Sequence, residues 1–262
     1  MSNLPPLTEP HPSPEALEVP INRPLRWLGL AWRDIERCPT PGALHGLLLA
    51  LVAAGWTWLH RDDFWWIVAF VASCMMIAPL LAVGLYDISR RLERGEAVSL
   101  GHSFGIWFCG DRRLVQFGAL LALTALGWFF CSAWLVQAMV PASVQTPADF
   151  VRHVVLSPEG WLFESWMVMS GFMAAPVFAS SVVTIPLLLD HPTLTLSQAI
   201  ATSWRVVALN PFAMACWAVL LAMFTTLGLA SAFLGLLLVV PMLGHASWYA
   251  YRDLVAYDPS VH

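Results

Sequence analysis

Side chains able to do chemistry are scarce in this sequence, and most of them stand where a long apolar run ends. "APLLAVGLYDISRRLERGE", Ala78 to Glu96, carries Tyr86, Asp87 and Arg90; "GLLLVVPMLGHASWYAYRDLV", Gly235 to Val255, carries His245, Tyr249, Arg252 and Asp253. In both, an arginine follows a proline by eleven residues, Pro79 to Arg90 and Pro241 to Arg252, with an aromatic at the seventh position. His45 and His102 add two imidazoles on the same side. Such groups in one place could form the polar site of a small-solute permease. His245 precedes Arg252 by seven residues, about 10 Å along a helix, which sets it below the headgroups of a bilayer. Ionisable groups at that depth usually face the protein interior and mark functional sites. A plainer reading stands beside this one. Tyr and Arg at the end of a span are ordinary anchors, Asp87 can pair with Arg90 or Arg91 at helical spacing, and His245 can donate to a neighbouring span, with His45 as a neighbour. The candidate polar site is therefore His45, Tyr86, Asp87, Arg90, His245, Tyr249, Arg252 and Asp253.

Other residue sets point to less. Cys74, Met75 and Met76, with Met167, Met169 and Met173, offer soft ligands of the kind that suit Cu(I). The later methionines are not on one helical face, however, and methionine is common apolar filler. The five cysteines (Cys38, Cys74, Cys109, Cys131, Cys216) include no CxxC pair and read as small apolar residues. No metal or other cofactor is expected. Glu164, beside Trp161 and Trp166, reads as an anchor at a bilayer surface. Pro79, Pro176, Pro186 and Pro241 interrupt apolar runs, either as plain kinks or as the broken helices that transporters use. The sequence contains no GxxxxGK[ST], HExxH or GxSxG motif and no nucleotide-binding glycine fingerprint. Every loop is short, which leaves no room for a soluble catalytic domain, so the chain is not expected to be an enzyme.

The elements that must position these residues follow from composition. Of 262 residues, 58% are apolar and 11% charged, where a soluble domain carries roughly 25% charged residues, and the mean hydropathy is +0.68. This composition excludes an ordinary soluble domain. The expected fold is all-α: a polytopic transmembrane helix bundle of about six spans, near 42–59, 64–87, 114–140, 161–188, 210–230 and 232–251. The last two form one apolar run, and only Gly228 and Gly235 offer a turn between them. Residues 1–22, with six prolines, read as a disordered arm. Residues 23–40 read as an amphipathic helix lying in the interface, with Leu25, Leu28, Trp32 and Ile35 on one stripe and Trp27 and Trp32 at headgroup level. Residues 41–262 form the membrane domain.

All thirteen basic residues are arginines. With six spans, eleven of them fall on the side of the termini and two, Arg61 and Arg152, on the other, so the positive-inside rule makes both termini cytoplasmic. Trp56, Trp58, Trp65, Trp66, Trp161 and Trp166 cluster at the opposite ends of the spans, where amphipathic rings anchor. Residues 97–127 and 193–228 share a short polar-start helix, with Ser99 and Thr195 as caps, then a turn and a span closing on Thr-x-Leu-Gly. That is a weak parallel internal repeat.

"INRPLRWLGLAWRDIERCP", "PLLAVGLYDISRRLERGE" and "PMLGHASWYAYRDL" together resemble a bacterial family of predicted integral membrane proteins, domain of unknown function 2189, over nearly everything after residue 20. The resemblance implies an inner-membrane protein of six or so spans and supplies no activity, substrate or site residue. Two functions are expected to compete: a non-catalytic structural or accessory component of a membrane complex, and a small-solute permease with its polar site near His245. The partners expected are the lipid bilayer and other membrane subunits, and no nucleic acid.

Overall fold

Uninterrupted apolar runs become helices because a helix satisfies every backbone group within one segment, which a lipid environment demands. The computed structural model describes residues 14–108, 110–140, 144–157 and 161–256. In chain order these form β1 (Glu15–Ala16), α1 (Arg23–Arg37), α2 (Pro39–Leu59), α3 (Phe64–Leu81), α4 (Val83–Glu93), α5 (Leu100–Gly105), α6 (Arg112–Met139) and α7 (Pro147–Phe150), then α8 (Leu162–Ser181), α9 (Thr184–Asp190), α10 (Leu196–Leu209), α11 (Pro211–Ala230), α12 (Leu236–Leu254) and β2 (Val255–Ala256). Five legs are long and apolar enough to cross a bilayer: α2, α3 with α4, α6, α8 with α9, and α11. The fold is an all-α bundle, as composition requires.

The second and fourth of these legs are broken, and proline explains where. A proline lacks the N–H that would reach the carbonyl four residues back. Pro186 leaves the Val182 carbonyl without that bond, and the helix stops at Ser181 and restarts at Thr184. Pro79 does the same to Met75, and the break follows at Ala82. Expected as single spans, residues 64–87 and 161–188 are instead a long outer helix followed by a short one. The short helices α4 and α9 bury residues 83–89 and 184–188 and pack on each other.

The long apolar run at the end turns at Ser231–Gly235, between the two glycines that offered a break. Ala232 and Phe233 take left-handed backbone angles there, with φ of 52° and 70°, and Ser231 Oγ accepts from the Gly235 N–H. Gly228 lets α12 approach, since a Cβ there would meet Leu236 Cδ2 at 2.9 Å. α12 is the helix that the others surround, in contact with α1, α2, α4, α9 and α11. A helix so enclosed can carry His245, Arg252 and Asp253 at no cost to a lipid-facing surface.

Burial is inverted relative to a soluble protein. Phe172 is 81% exposed and Val168 72%, while Asp34, Asp87, Ser89 and His245 are at most 1% exposed. The main core lies at the end that carries both described chain ends and includes Trp27, Ile185, Trp217, Trp248 and Tyr251. A smaller core around Phe64, Val136, Val154 and Leu162 closes the opposite end.

Two expectations for the start of the chain need correction. Residues 1–13 lie outside the described residues, but 14–22, expected to be part of a disordered arm, are held in place. β1 pairs antiparallel with β2, with Glu15 opposite Ala256. The Asn210 amide clasps the same strand, accepting from the Val19 N–H at 2.8 Å and donating to the Leu17 carbonyl at 2.9 Å. α1 does not bury the Leu25–Trp32 stripe. It buries Pro24, Trp27, Ala31 and Asp34 against α12 and leaves Leu25 and Trp32 exposed. Trp27 is fully buried, edge-on to Trp217 with ring centres 5.6 Å apart, and so is no headgroup anchor. A hydrophobicity count misses this face because an aspartate is part of it.

Candidate functional site

The eight residues of the candidate polar site lie at the end of the bundle that carries the described chain ends, and the folded chain sorts them into linked groups. The deepest is built on α12. Seven residues before Arg252, His245 faces inward toward α4, and its Nδ1 lies 2.7 Å from Ser89 Oγ. Ser89 in turn donates to Asp34 Oδ2 at 2.7 Å, and Tyr249 donates to the same oxygen at 2.9 Å. A serine has one proton to give, so with an ionised Asp34 the imidazole must donate from Nδ1 and carry its lone pair on Nε2. His45 is fixed in the same tautomer, because its Nδ1 lies 2.8 Å from the Pro41 carbonyl, which can only accept. Its ring stacks on Phe104 at 4.2 Å. His45 is an electrostatic neighbour of His245, but the hydrogen-bond partners of His245 are Ser89 and the Leu85 carbonyl. Burial pushes the Asp34 carboxyl above its usual range, with the Ser89 and Tyr249 bonds pulling the other way.

The second group is centred on Asp87, which is fully buried and held by two arginines. Arg90 and Arg91 each reach it at 2.8 Å, so both of the expected partners are used. Arg90 also donates to the Leu189 carbonyl at 2.8 Å. Tyr86, one residue earlier, is buried with its hydroxyl against Ser247.

The third group joins the ends of α4, α9 and α12. Glu93 accepts from Trp248 Nε1 at 3.1 Å and from Arg252 at 3.2 Å. Asp190 accepts from Arg94 at 2.7 Å and from the Tyr251 hydroxyl at 3.0 Å. Asp253 stands apart from these, paired with Arg23 at 2.6 Å and with Trp27 Nε1 at 2.8 Å.

Several residues that complete these groups carried no signal of their own: Asp34, Ser89, Glu93, Asp190 and above all Arg113. The Arg113 guanidinium donates to the carbonyls of Leu188, His191, Pro192 and Leu194 while paired with Asp111 at 2.6 Å. With Arg90 and Arg94 it places three cations at the carbonyl end of α9, the negative end of a helix dipole. The Arg113 bond holds the Asp111 carboxyl below its usual range. Thr195 caps α10 in a reciprocal box with Gln198, as expected. Glu164 is exposed in the first turn of α8, far from this end. The side chain of His102 and all of Cys109 lie outside the described residues.

Chemically the assembly is a set of interhelix locks. Asp34, Ser89 and His245 share residue types with a hydrolytic triad, but the serine sits between the other two, whereas a nucleophile must stand at the end of the chain beside the base. Ser89 is also fully buried. Tight backbone approach accompanies the polar bonds: a Cβ on Gly46 would meet the Leu236 carbonyl at 2.6 Å, and one on Gly84 the Ser103 carbonyl at 2.5 Å.

No curated protein and no solved structure matches this chain. One family does, that described as "Predicted integral membrane protein (DUF2189)", over residues 67–190. The match is narrower than the resemblance expected after residue 20. It runs from α3 to the end of α9 and takes in both broken legs, Asp87, Arg90, Arg94, Arg113 and Asp190, but neither α1 nor α12. The chain is thus a multi-pass integral membrane protein whose residues 67–190 match this family of unknown function.

Proposed function

We propose that this chain is a non-catalytic structural or accessory component of a bacterial inner-membrane complex. The observation that carries the reading is that the buried polar side chains at the arginine-rich end bond to one another and to backbone across five helices. Arginines, carboxylates and hydroxyls paired in this way hold helix ends in register, which is the work of a structural part. In this reading α12 is a sixth crossing, both termini are cytoplasmic because eleven of thirteen arginines fall on their side, and the exposed face of α1, with Leu25, Trp32, Arg26 and Arg33, meets lipid headgroups.

A second reading, a small-solute permease, draws on one feature. The breaks at Ala82 and at Val182–Val183 fall at corresponding places in two stretches with the same order of elements, α3 to α6 and α8 to α11. Interrupted helices at matched positions are where transporters place their sites. The same match supports the weak internal repeat. Affinity purification of the full chain in mild detergent, followed by reconstitution into vesicles, separates the two. A stoichiometric membrane subunit that co-purifies supports the accessory role, and solute flux by the purified chain alone overturns it.

A further inference from the structure

Three buried acceptor atoms in the deepest group receive no hydrogen bond: Asp34 Oδ1, His45 Nε2 and His245 Nε2. Their residues are 1%, 1% and 0% exposed. The indole N–H of Trp107, edge-on to His45 with ring centres 5.5 Å apart, is the unclaimed donor beside them. Acceptors therefore outnumber donors three to one in a place where each unpaired group is costly. Asp34 is also a buried carboxylate with no cation within ion-pair distance among the described residues. Asp87 is neutralised by Arg90 and Arg91, Glu93 by Arg252, and Asp253 by Arg23. Through space, Arg37 on α1 and Glu93 on α4 act on Asp34 in opposite senses, and Cys38 at the α1–α2 junction is its titratable neighbour. From α12, Tyr249 gives a hydrogen bond without charge, and from α2 the nearest titratable group is His45.

We propose that Asp34, Ser89 and His245 form a buried proton-binding site, in which one added proton reverses the hydrogen-bond chain and makes His245 Nε2 a donor directed at α2. A proton arriving at His245 Nε2 gives the imidazolium. Its Nδ1 proton passes to Ser89 Oγ as the Ser89 proton passes to Asp34 Oδ2. The product has Asp34 as the neutral acid donating to Ser89, Ser89 donating to Nδ1, and a proton on Nε2. One proton is gained, and no bond to carbon changes. The Nε2 edge lies against α2, since a Cβ on Gly42 would sit 3.5 Å from it, and His45, one turn further along α2, carries the neighbouring unclaimed acceptor. The same proton also removes the unpaired charge on Asp34. Burial, which pushes the Asp34 carboxyl upward, favours this state.

The test is nitrogen NMR of the full chain in detergent micelles with ring-labelled histidine, followed from about pH 8 to about pH 5. The His245 signals are assigned by their loss in His245→Gln. The protonated ring nitrogen should change from Nδ1 to Nε2 as pH falls. Asp34→Asn, which carries the hydrogen-bonding pattern of the neutral acid, should abolish the change and hold one tautomer throughout. Ser89→Ala should abolish it too, and serves if Asp34→Asn does not fold. A wild-type ring that keeps Nδ1–H over the whole range, or a switch that survives in both variants, overturns the proposal.

Discussion

Trp27 donates its indole N–H to the carboxylate of Asp253 at 2.8 Å, across 226 positions of sequence. The same carboxylate takes Arg23 at 2.6 Å. Removing either partner of Asp253 should not cost the same. Asp253→Ala strands a buried indole N–H, at a cost of about 1–3 kcal/mol. Arg23→Ala leaves a carboxylate that water can still reach, and should cost no more than about 1 kcal/mol. Thermal unfolding in detergent should therefore rank Asp253→Ala clearly below Arg23→Ala. Equal melting temperatures would mean that the indole bond contributes nothing.

Arg113 should resist conservative replacement. Its fork reaches four carbonyls at once, which an ammonium group cannot reproduce. Arg113→Lys should destabilise nearly as much as Arg113→Ala, each by roughly 2–3 kcal/mol. Protection of the residue 188–194 amides against hydrogen exchange should fall in both. Full protection in the lysine variant would contradict the capping role.

Two glycine substitutions should separate sharply. Gly46→Ala drives a methyl group into the Leu236 and Leu237 backbone at 2.6–2.9 Å, and backbone cannot move aside as a side chain can. It should lower the melting temperature strongly or prevent folding. Gly29, on the outer face of α1 with nothing within 4 Å, should accept alanine with a gain of up to about 1 kcal/mol from helix propensity. A tolerated Gly46→Ala would show that α2 and α12 are not in close contact.

Stability should respond to pH through two carboxyls in opposite senses. Asp34 is raised by burial, so the folded chain binds its proton more tightly than the unfolded chain does. Its contribution is full below the ordinary carboxylate range and is lost as pH rises through the raised value. Asp111 is lowered by Arg113, so its contribution is present above the ordinary range and is lost as pH falls through the depressed value. Asp34→Asn should therefore lose ground to the wild type as pH drops from about 7 to about 4, and Asp111→Asn should recover ground below about 4. Melting curves across that range decide both.

Topology can be read independently. Alkaline phosphatase fused after Ala256 should be inactive, and fused near Asp62 it should be active. The reverse pattern would end the assignment of cytoplasmic termini.

The membrane legs were legible in the sequence because hydropathy is local and adds along a run. Their breaks were half legible: Pro79 and Pro186 mark them, but whether a proline kinks or splits a helix depends on what surrounds it. The candidate site was legible as a location, since Tyr86, Asp87, Arg90, His245, Tyr249, Arg252 and Asp253 stand at the ends of runs. Its wiring was not. Asp34 looks like the polar face of an amphipathic helix until α12 is seen to cover it, and Ser89 looks like any small residue in an arginine-rich turn. Both become partners of His245 only through contacts between distant helices, which no periodicity records.

The pairing of β1 with β2, and of α1 with α12, also sets a timetable. A ribosome adds about 5–20 residues per second, so Trp27 waits roughly 10–50 s for Asp253, 226 residues later. Until then the first helix presents its unburied tryptophan face to whatever attends the nascent chain. The end of the bundle that carries His245 is therefore closed only once α12 and β2 have emerged.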